Sequence, residues 1–132
     1  MENQTYGEGS IKSFTSLRTW QKAKTFVVGI YKITKHFPED EKFGLVSQIR
    51  RSSVSVTSNI AEGFSRNSAN DKKHFYSMSK GSLTETLSHL HISKDLGFID
   101  LKNFKILENE CTDINKMLNG MIKSAKGKDA YT

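Results

Sequence analysis

The sequence predicts an all-α protein, an up-down-up-down four-helix bundle, and three observations lead to this fold class. Proline occurs once in 132 residues, which favours long helices over a strand-rich fold. Apolar residues recur every three or four positions in four long segments, which is the period of amphipathic helices. The connections between these segments are short, so neighbouring helices should run antiparallel. The length is that of one compact domain.

The first predicted helix runs from about Leu17 to Phe37, with Thr15 or Ser16 as its N-cap. Pro38 should end it, because the residue before a proline avoids the helical region. Seven residues at helical spacing form its apolar face: Trp20, Ala23, Val27, Ile30, Tyr31, Thr34 and Phe37.

The second predicted helix runs from about Asp40 to Gly63, and Gly63 is expected to supply the left-handed residue at its C-terminus. Its apolar stripe contains Leu45, Ile49, Val56, Ile60 and Phe64, with Ser53 inside it.

The third predicted helix starts after Ser68 or Asn70, where Ser68 with Asp71 resembles a capping box, and ends at Gly97. The fourth starts after Asp100 as its N-cap. The residues of the third helix that can face the core are Phe75, Met78, Ser79, Ser82, Leu83, Thr86, Leu90 and Leu96. The fourth carries a near-heptad seam of Phe104, Leu107, Cys111, Ile114, Met117, Leu118, Met121 and Ile122.

The composition limits the class of protein. We expect a bundle domain at residues 15–123 between a flexible N-terminal lead, 1–14, and a flexible C-terminal tail, 124–132. The single cysteine excludes an internal disulfide. The sequence contains no run of eighteen apolar residues, so no membrane span is predicted. The N-terminal residues lack the pattern of a signal peptide, so a cytoplasmic protein is expected. The net charge of +6 fits an acidic partner such as nucleic acid.

Positive charge is concentrated in the first predicted helix. No acidic residue occurs between Ser10 and Pro38. A helix face of one sign can follow phosphate groups, since phosphate contacts need charge but no base-edge geometry. The alternative is a solvated face that only keeps the protein soluble. The residues predicted to contact phosphates are Arg18, Lys22, Lys24, Lys32 and Lys35.

The second predicted helix is rich in serine and threonine, and it carries a polar stripe beside its apolar one. Arg51 and Glu62 lie in this stripe about 16 Å apart along the helix, too far to pair with each other. Both should find partners on other helices or chains, and Glu85 is a candidate partner for Arg50 or Arg51. We favour a structural or subunit-contact role for this stripe over a catalytic one.

Signals for an enzyme are poor, so we expect no catalytic residue, metal, cofactor or small-molecule substrate. His89 and His91 are two residues apart and point to different helix faces, whereas two metal ligands on one helix need a spacing of three or four residues. Cys111 falls on the apolar seam and is expected to be a buried structural cysteine. A nuclease would need a carboxylate cluster, and only the scattered Glu62, Glu85 and Asp95 are available.

Several short motifs between residues 17 and 96 resemble those of a known family. They are Leu17-x-x-Trp20-Gln-Lys-Ala23, Phe37-Pro38, Gln48-Ile-Arg50-Arg51, Ser58-Asn59-Ile-Ala-Glu-Gly63 and Gly81-Ser82 with Glu85. Together they resemble the four-helix bundle proteins encoded in intervening sequences of bacterial 23S ribosomal RNA genes, also called S23 ribosomal proteins. This chain departs from the usual residues of the family at Ser52, Thr57 and Thr86, where many members have alanine, proline and leucine.

The resemblance implies a left-handed bundle that assembles as a homopentamer. The family motif falls on Arg50, Arg51, Asn59, Glu62 and Glu85, to which we assign networks between helices or subunits. A fold-related family, the accessory variability proteins of diversity-generating retroelements, engages nucleic acid. Five copies of this chain would carry a charge of about +30, a strong attractor for polyanions.

These observations together favour a non-enzymatic oligomer that binds structured RNA or a ribonucleoprotein. The alternative is a protein-interaction scaffold with no role in nucleic-acid binding. The two differ in salt dependence, because many phosphate contacts make affinity fall steeply as salt rises.

Overall fold

Four α-helices make up most of the chain in a computed structural model, which describes residues 13–127. They are α1 (Arg18–Thr34), α2 (Leu45–Ser65), α3 (Ala69–Asp95) and α4 (Leu101–Ser124), with 3-10 turns at Phe14–Ser16 and Glu39–Glu41. No strand occurs in residues 13–127. Each helix packs on the next one in the chain, and α4 returns to pack on α1. The predicted all-α four-helix bundle is confirmed, and its left-handed winding stays a prediction.

The core runs along the bundle axis and receives apolar side chains from all four helices. Phe26, Ile60, Leu90 and Phe104 are fully buried there, one from each helix. Five of the eight residues of the seam predicted for α4 are buried, namely Phe104, Leu107, Cys111, Ile114 and Leu118. Met121 and Ile122 are half-buried against the core, whereas Met117 is half-buried away from it. The predicted caps of the last two helices are also confirmed. Ser68 accepts a hydrogen bond from the backbone of Asp71 at the start of α3, and Asp100 caps α4 in the same way.

The first helix starts within one residue of the predicted position, but the predicted N-cap and the predicted end were wrong. No side chain caps α1, whose first residue follows the 3-10 turn Phe14–Ser16. The helix ends at Thr34 rather than at Phe37. The last turn tightens there, because the amides of His36 and Phe37 bond to carbonyls three residues earlier. Phe37 still reaches the core from the following turn, where its ring contacts that of Phe98 at 5.6 Å.

Two predicted core faces are rotated in the structure. On α1 the fully buried aromatic residue is Phe26, which the predicted face omitted, while Tyr31 is exposed. On α3 Tyr76 is buried and its predicted neighbour Met78 is exposed, as is Leu96. In both helices the large residues occur on more than one face, so apolar spacing alone does not determine which face meets the core.

The second helix starts later than predicted, at Leu45 instead of Asp40. Residues Glu39–Glu41 form a 3-10 turn, and Gly44 then takes a ψ of −108°, which no helix accommodates. The Glu41 carboxylate accepts a hydrogen bond from the Leu45 amide at 3.1 Å and satisfies a free donor at the start of α2. The acidic run therefore precedes α2, with Glu41 bonded to its first amide, instead of forming its first turn.

The predicted role of Gly63 was also wrong. Gly97, with φ +80°, is the glycine that adopts a left-handed conformation within the described residues, whereas Gly63 lies inside α2. A Cβ placed on Gly63 would lie 2.6 Å from Cε1 of Tyr76 on α3. The missing side chain thus lets α2 and α3 approach closely, and these two helices form the most extensive contact in the bundle.

The predicted lead and tail lie mostly outside the described residues. Ser13 and Phe14 belong to the described part, and the ring of Phe14 packs edge-on against Trp20 at 5.0 Å. At the other end α4 closes at Ser124, followed by the extended residue Ala125. The flexibility of both segments stays a prediction.

Candidate nucleic-acid interface

The basic residues of α1 lie on two different edges of the helix. At 100° per residue, Lys22 and Lys32 lie within about 40° of Arg18, on the edge beside α4. Lys24 and Lys35 lie about 100–120° away, on the edge beside α2. The five predicted contacts therefore do not form one line. Three of them share the edge beside α4 and two share the edge beside α2.

A groove of about 650 Å³ separates α1 from α4 and contains part of this basic edge. Arg18 and Lys22 line it from α1, and Glu110, Asp113 and Lys116 line it from α4. Of the four contacts between neighbouring helices in the bundle, the one between α1 and α4 is the least extensive. The groove is thus a polar seam where charged groups of two helices face each other.

Lys22 has a counter-charge inside this groove. Its Nζ lies 3.6 Å from Oδ2 of Asp113. Burial raises the pKa of the neighbouring Glu110 above its usual value, although Lys22 acts in the opposite direction. Positive charge in the groove is therefore partly neutralised by α4, a helix that the sequence analysis did not connect to Lys22.

The remaining basic residues of α1 are less constrained. Arg18, Lys32 and Lys35 are exposed, and none of them forms an ion pair within residues 13–127. Lys24 lies over the ring of Trp20 at 5.4 Å, which still leaves its charge at the surface. A polyanion can therefore contact these cations without breaking an ion pair.

A polar network connects α2 to α3 on another face of the bundle. Arg51 donates to the Glu85 carboxylate at 2.7 Å, and His89 lies 3.4 Å from the same oxygen. Burial raises the pKa of Glu85, but the hydrogen bonds of His89 and Arg51 outweigh it, so the pKa is lower than usual. Glu85 is therefore held ionised beside Arg51, one of the two partners considered from the sequence.

Arg50 points the other way, towards α1. Its Nε donates to the Thr34 hydroxyl at 2.9 Å, and its guanidinium lies over the Tyr31 ring at 4.5 Å. The Tyr31 carbonyl accepts a second hydrogen bond at 3.3 Å. Arg50 thus joins the C-terminal end of α1 to α2, near the point where α1 ends.

The other two residues of the predicted network have their partners on their own helix or its cap. Asn59 donates to the backbone carbonyl and hydroxyl of Ser55, one turn earlier. Glu62 accepts from Arg66, four residues later, at 2.6 Å. Arg50, Arg51 and Glu85 therefore join helices in this chain, whereas Asn59 and Glu62 do not. Any role of these five residues between subunits stays a prediction.

Small hydroxyl residues fill the contact between α2 and α3. Ser55 bonds to Ser82 at 2.9 Å, and the buried pair Ser52 and Thr86 bond to each other at 2.7 Å. Ser52 and Thr86 are two of the positions where the sequence departs from the usual residues of the family that it resembles. The two departures satisfy each other inside the core, so the serine-rich segment has a packing role.

A buried lysine on α3 was missed by the sequence analysis. The side chain of Lys72 is almost fully buried, and its Nζ donates to the Phe64 carbonyl at 2.8 Å near the end of α2. It satisfies a carbonyl that the helix leaves free at its C-terminus. The signal available in the sequence was the helical spacing that places Lys72 on the same face as Tyr76 and Ser79, since charged residues are unusual on a core-facing side of a helix.

The groups considered for catalysis are dispersed or unreactive. Cys111 is buried, as predicted, and burial raises the pKa of its thiol to about 12. The described residues contain no cluster of three or more potential metal-ligating side chains. His91 contacts Phe104 and Glu108 of α4, whereas His89 faces α2, so the two histidines lie on different faces.

The helices also bear on membrane association. Within residues 13–127, none combines the length and the apolar character that crossing a bilayer requires.

Comparisons with known proteins agree on one family. Residues 15–120 match the family model described as 23S rRNA-intervening sequence protein. A crystal structure of a protein with unknown function from the S23 ribosomal protein family of Bacteroides thetaiotaomicron is similar, with a TM-score of 0.72 and 28% sequence identity. The similarity covers 80% of this chain and 99% of that one. No curated protein matches the chain.

Proposed function

Because the chain belongs to the family of 23S rRNA-intervening sequence proteins, we propose that it is a non-enzymatic, cytoplasmic oligomer that binds structured RNA or a ribonucleoprotein. The observation that carries this proposal is the acid-free α1, where the exposed Arg18, Lys24 and Lys32 lack ion-pair partners among residues 13–127 and Lys22 is paired with Asp113. A surface of this kind attracts phosphate groups through charge alone. Arg18, Lys22 and Lys32 make the phosphate contacts, and Lys24 and Lys35 add positive potential from the edge beside α2.

The proposed oligomer is a homopentamer, as the family resemblance implies. Support comes from the outer face of α3, which carries exposed apolar side chains at Met78, Ile92 and Leu96. Gly81 lies on this face in the middle of the helix, where an added Cβ would meet nothing within 4 Å. A glycine in an exposed helix costs about 1 kcal/mol relative to alanine. A second subunit packed closely on α3 would account for that cost.

The experiment that tests the proposal is a light-scattering mass measurement, with and without a structured ribosomal RNA fragment, at low and moderate salt. We expect a ring of five 14.9 kDa chains that takes up RNA at low salt and releases it at moderate salt. The double variant Arg18→Gln/Lys32→Gln should weaken uptake, whereas Lys42→Gln, in the turn before α2, should leave it nearly unchanged. A ring that ignores RNA at both salt concentrations would overturn RNA binding, and a monomeric mass would overturn the oligomer.

One observation favours the second candidate, a protein-interaction scaffold. Phe43, in the turn before α2, is 89% exposed, and Leu96 and Leu101 are exposed beside the turn between α3 and α4. Both turns lie at the same end of the bundle, where the Phe37 and Phe98 rings join them. Exposed apolar groups gathered at one end are typical of protein contact sites. Binding to a protein partner would differ from RNA binding in its weak dependence on salt.

A further inference from the structure

The exposed face of α4 carries a second line of basic residues. Seven positions, spaced alternately three and four residues apart, form this α4 line: Lys102, Lys105, Asn109, Thr112, Lys116, Asn119 and Lys123. All seven side chains are exposed. That spacing keeps them on one side of the helix over about 31 Å. The α4 line contains only lysine, asparagine and threonine, residues that donate hydrogen bonds to phosphate oxygens and hydroxyl groups.

The acidic residues of α4 lie beside this line and not on it. Glu108 faces α3, where it lies 3.8 Å from His91, and it also pairs with Lys105 at 3.1 Å. Glu110 and Asp113 face α1 across the groove. Lys102, Lys116 and Lys123 form no ion pair within the described part of the chain. The α4 line itself therefore contains no negative charge, although Asp113 is exposed beside it.

The α4 line and the basic edge of α1 form one surface. Lys116 of α4 lines the same groove as Arg18 and Lys22 of α1. The ion pair between Lys22 and Asp113 joins the two helices in the middle of this surface. The surface is thus two helices wide, with cations on both sides of a groove that also contains Glu110 and the exposed Asp113.

Phenylalanine, tyrosine and tryptophan are absent from both lines of this surface, and the one histidine, His36, lies beyond the end of α1. The α1 edge reads Arg18, Lys22, Thr25, Gly29, Lys32 and His36, and the α4 line likewise offers no phenylalanine, tyrosine or tryptophan. Proteins that hold unpaired strands stack the bases on aromatic side chains. Double-stranded RNA is instead recognised by its shape, through contacts to phosphates and 2′-hydroxyl groups.

We propose that α4 and the adjoining edge of α1 form a single surface for the phosphate backbone of double-stranded RNA, in preference to single strands. The inference rests on the proposed function, because it names the class of RNA that the protein binds. The lysines of the α4 line contact phosphates, while Asn109 and Asn119 lie where they can reach phosphates or 2′-hydroxyl groups. The groove between α1 and α4 lies along the middle of the contact.

The test compares binding of an RNA duplex of about 16 base pairs with binding of one of its strands alone, over a range of salt concentrations. The variant is Lys116→Gln/Lys123→Gln in the full chain, and the matched control is Lys24→Gln/Lys42→Gln, which removes the same charge elsewhere. We expect the α4 variant to weaken duplex binding about tenfold and to reduce the salt slope by one to two. The control should weaken binding only about two- to threefold, and Lys116→Arg/Lys123→Arg should retain it.

The outcomes separate this inference from the proposed function. If the α4 variant binds the duplex as well as the unmodified protein does, while Arg18→Gln/Lys32→Gln does not, the role of α4 is overturned and the proposed function stands. Equal affinity for the duplex and the single strand would overturn the preference for duplex RNA. If the unmodified protein binds neither at low salt, both proposals fail. Circular dichroism of each variant verifies that the helices remain folded.

Discussion

Gly63 shows how one missing side chain determines the spacing of two helices. Its backbone lies against the Tyr76 ring, where no Cβ fits without a shift of the aromatic side chain. The sequence showed that Gly63 was important, but it led to the wrong reason, because a glycine near a helix end usually adopts a left-handed conformation. The distinction depends on Tyr76, which contacts Gly63 from another helix and lies thirteen positions later in the chain.

At this scale we predict opposite effects for the same substitution at two glycines. Gly63→Ala should lower the free energy of unfolding by about 1–2 kcal/mol, since overpacking against Tyr76 outweighs the gain in helix propensity. Gly120→Ala, where an added Cβ meets nothing within 4 Å, should raise it by about 0.5–1 kcal/mol. Urea unfolding followed by circular dichroism measures both. Equal gains at the two sites would show that α2 and α3 can move apart without cost.

Helix α3 carries apolar residues on both its inner and outer faces, and it is the least amphipathic of the four helices. Tyr76, Leu83 and Leu90 face the core, while Met78 and Ile92 are exposed on the outside. This distribution explains why the predicted core list for α3 mixed residues of two faces. The spacing of apolar residues identifies a helix that buries one apolar stripe. Where a helix has two apolar stripes, spacing alone does not show which one faces the core.

For this element we predict that Gly81→Arg disrupts the oligomer. The new side chain would project from the outer face of α3, where we place the neighbouring subunit, and would add an unpaired charge to the contact. Gly120→Arg, at an equally open helical position on α4, is the matched control and should leave the mass unchanged. Light scattering at low salt provides the measurement. Unchanged mass for Gly81→Arg would exclude α3 as the subunit contact.

On the scale of the whole molecule, helix number, helix order and the α4 seam were predictable because the apolar period is long and regular. The turn between α1 and α2 was not predictable, because Glu39–Glu41 form a 3-10 turn and Glu41 bonds to the first amide of α2 instead of continuing the helix. The basic residues of α1 were visible as an unbroken run of one sign. The α4 line was not, since three acidic residues that lie off the line separate its lysines along the chain.

Two carboxylates should give the stability of the bundle opposing responses to pH. The pKa of Glu85 is lowered by folding, so its stabilising contribution is present above the usual value of 4.5 and is lost as the pH falls through the folded pKa. The pKa of Glu110 is raised, so its cost is absent well below 4.5 and develops as the pH rises through its folded pKa. At about pH 7, Glu85→Gln should destabilise the protein and Glu110→Gln should stabilise it. Both differences should shrink at about pH 3 in urea unfolding, and a difference that persists there would contradict the electrostatic cause.

The uneven contacts around the bundle also have a dynamic consequence. The α2–α3 contact is the most extensive and contains buried hydroxyl bonds, whereas α1 and α4 are separated by a polar groove. Local opening should therefore begin by detachment of α1 from α4, while the α2–α3 hairpin persists as a cooperative unit. A rigid polyanion bound across both helices would hold this weaker side closed. Slower amide exchange in α1, with no change in the hairpin, would then report the bound state.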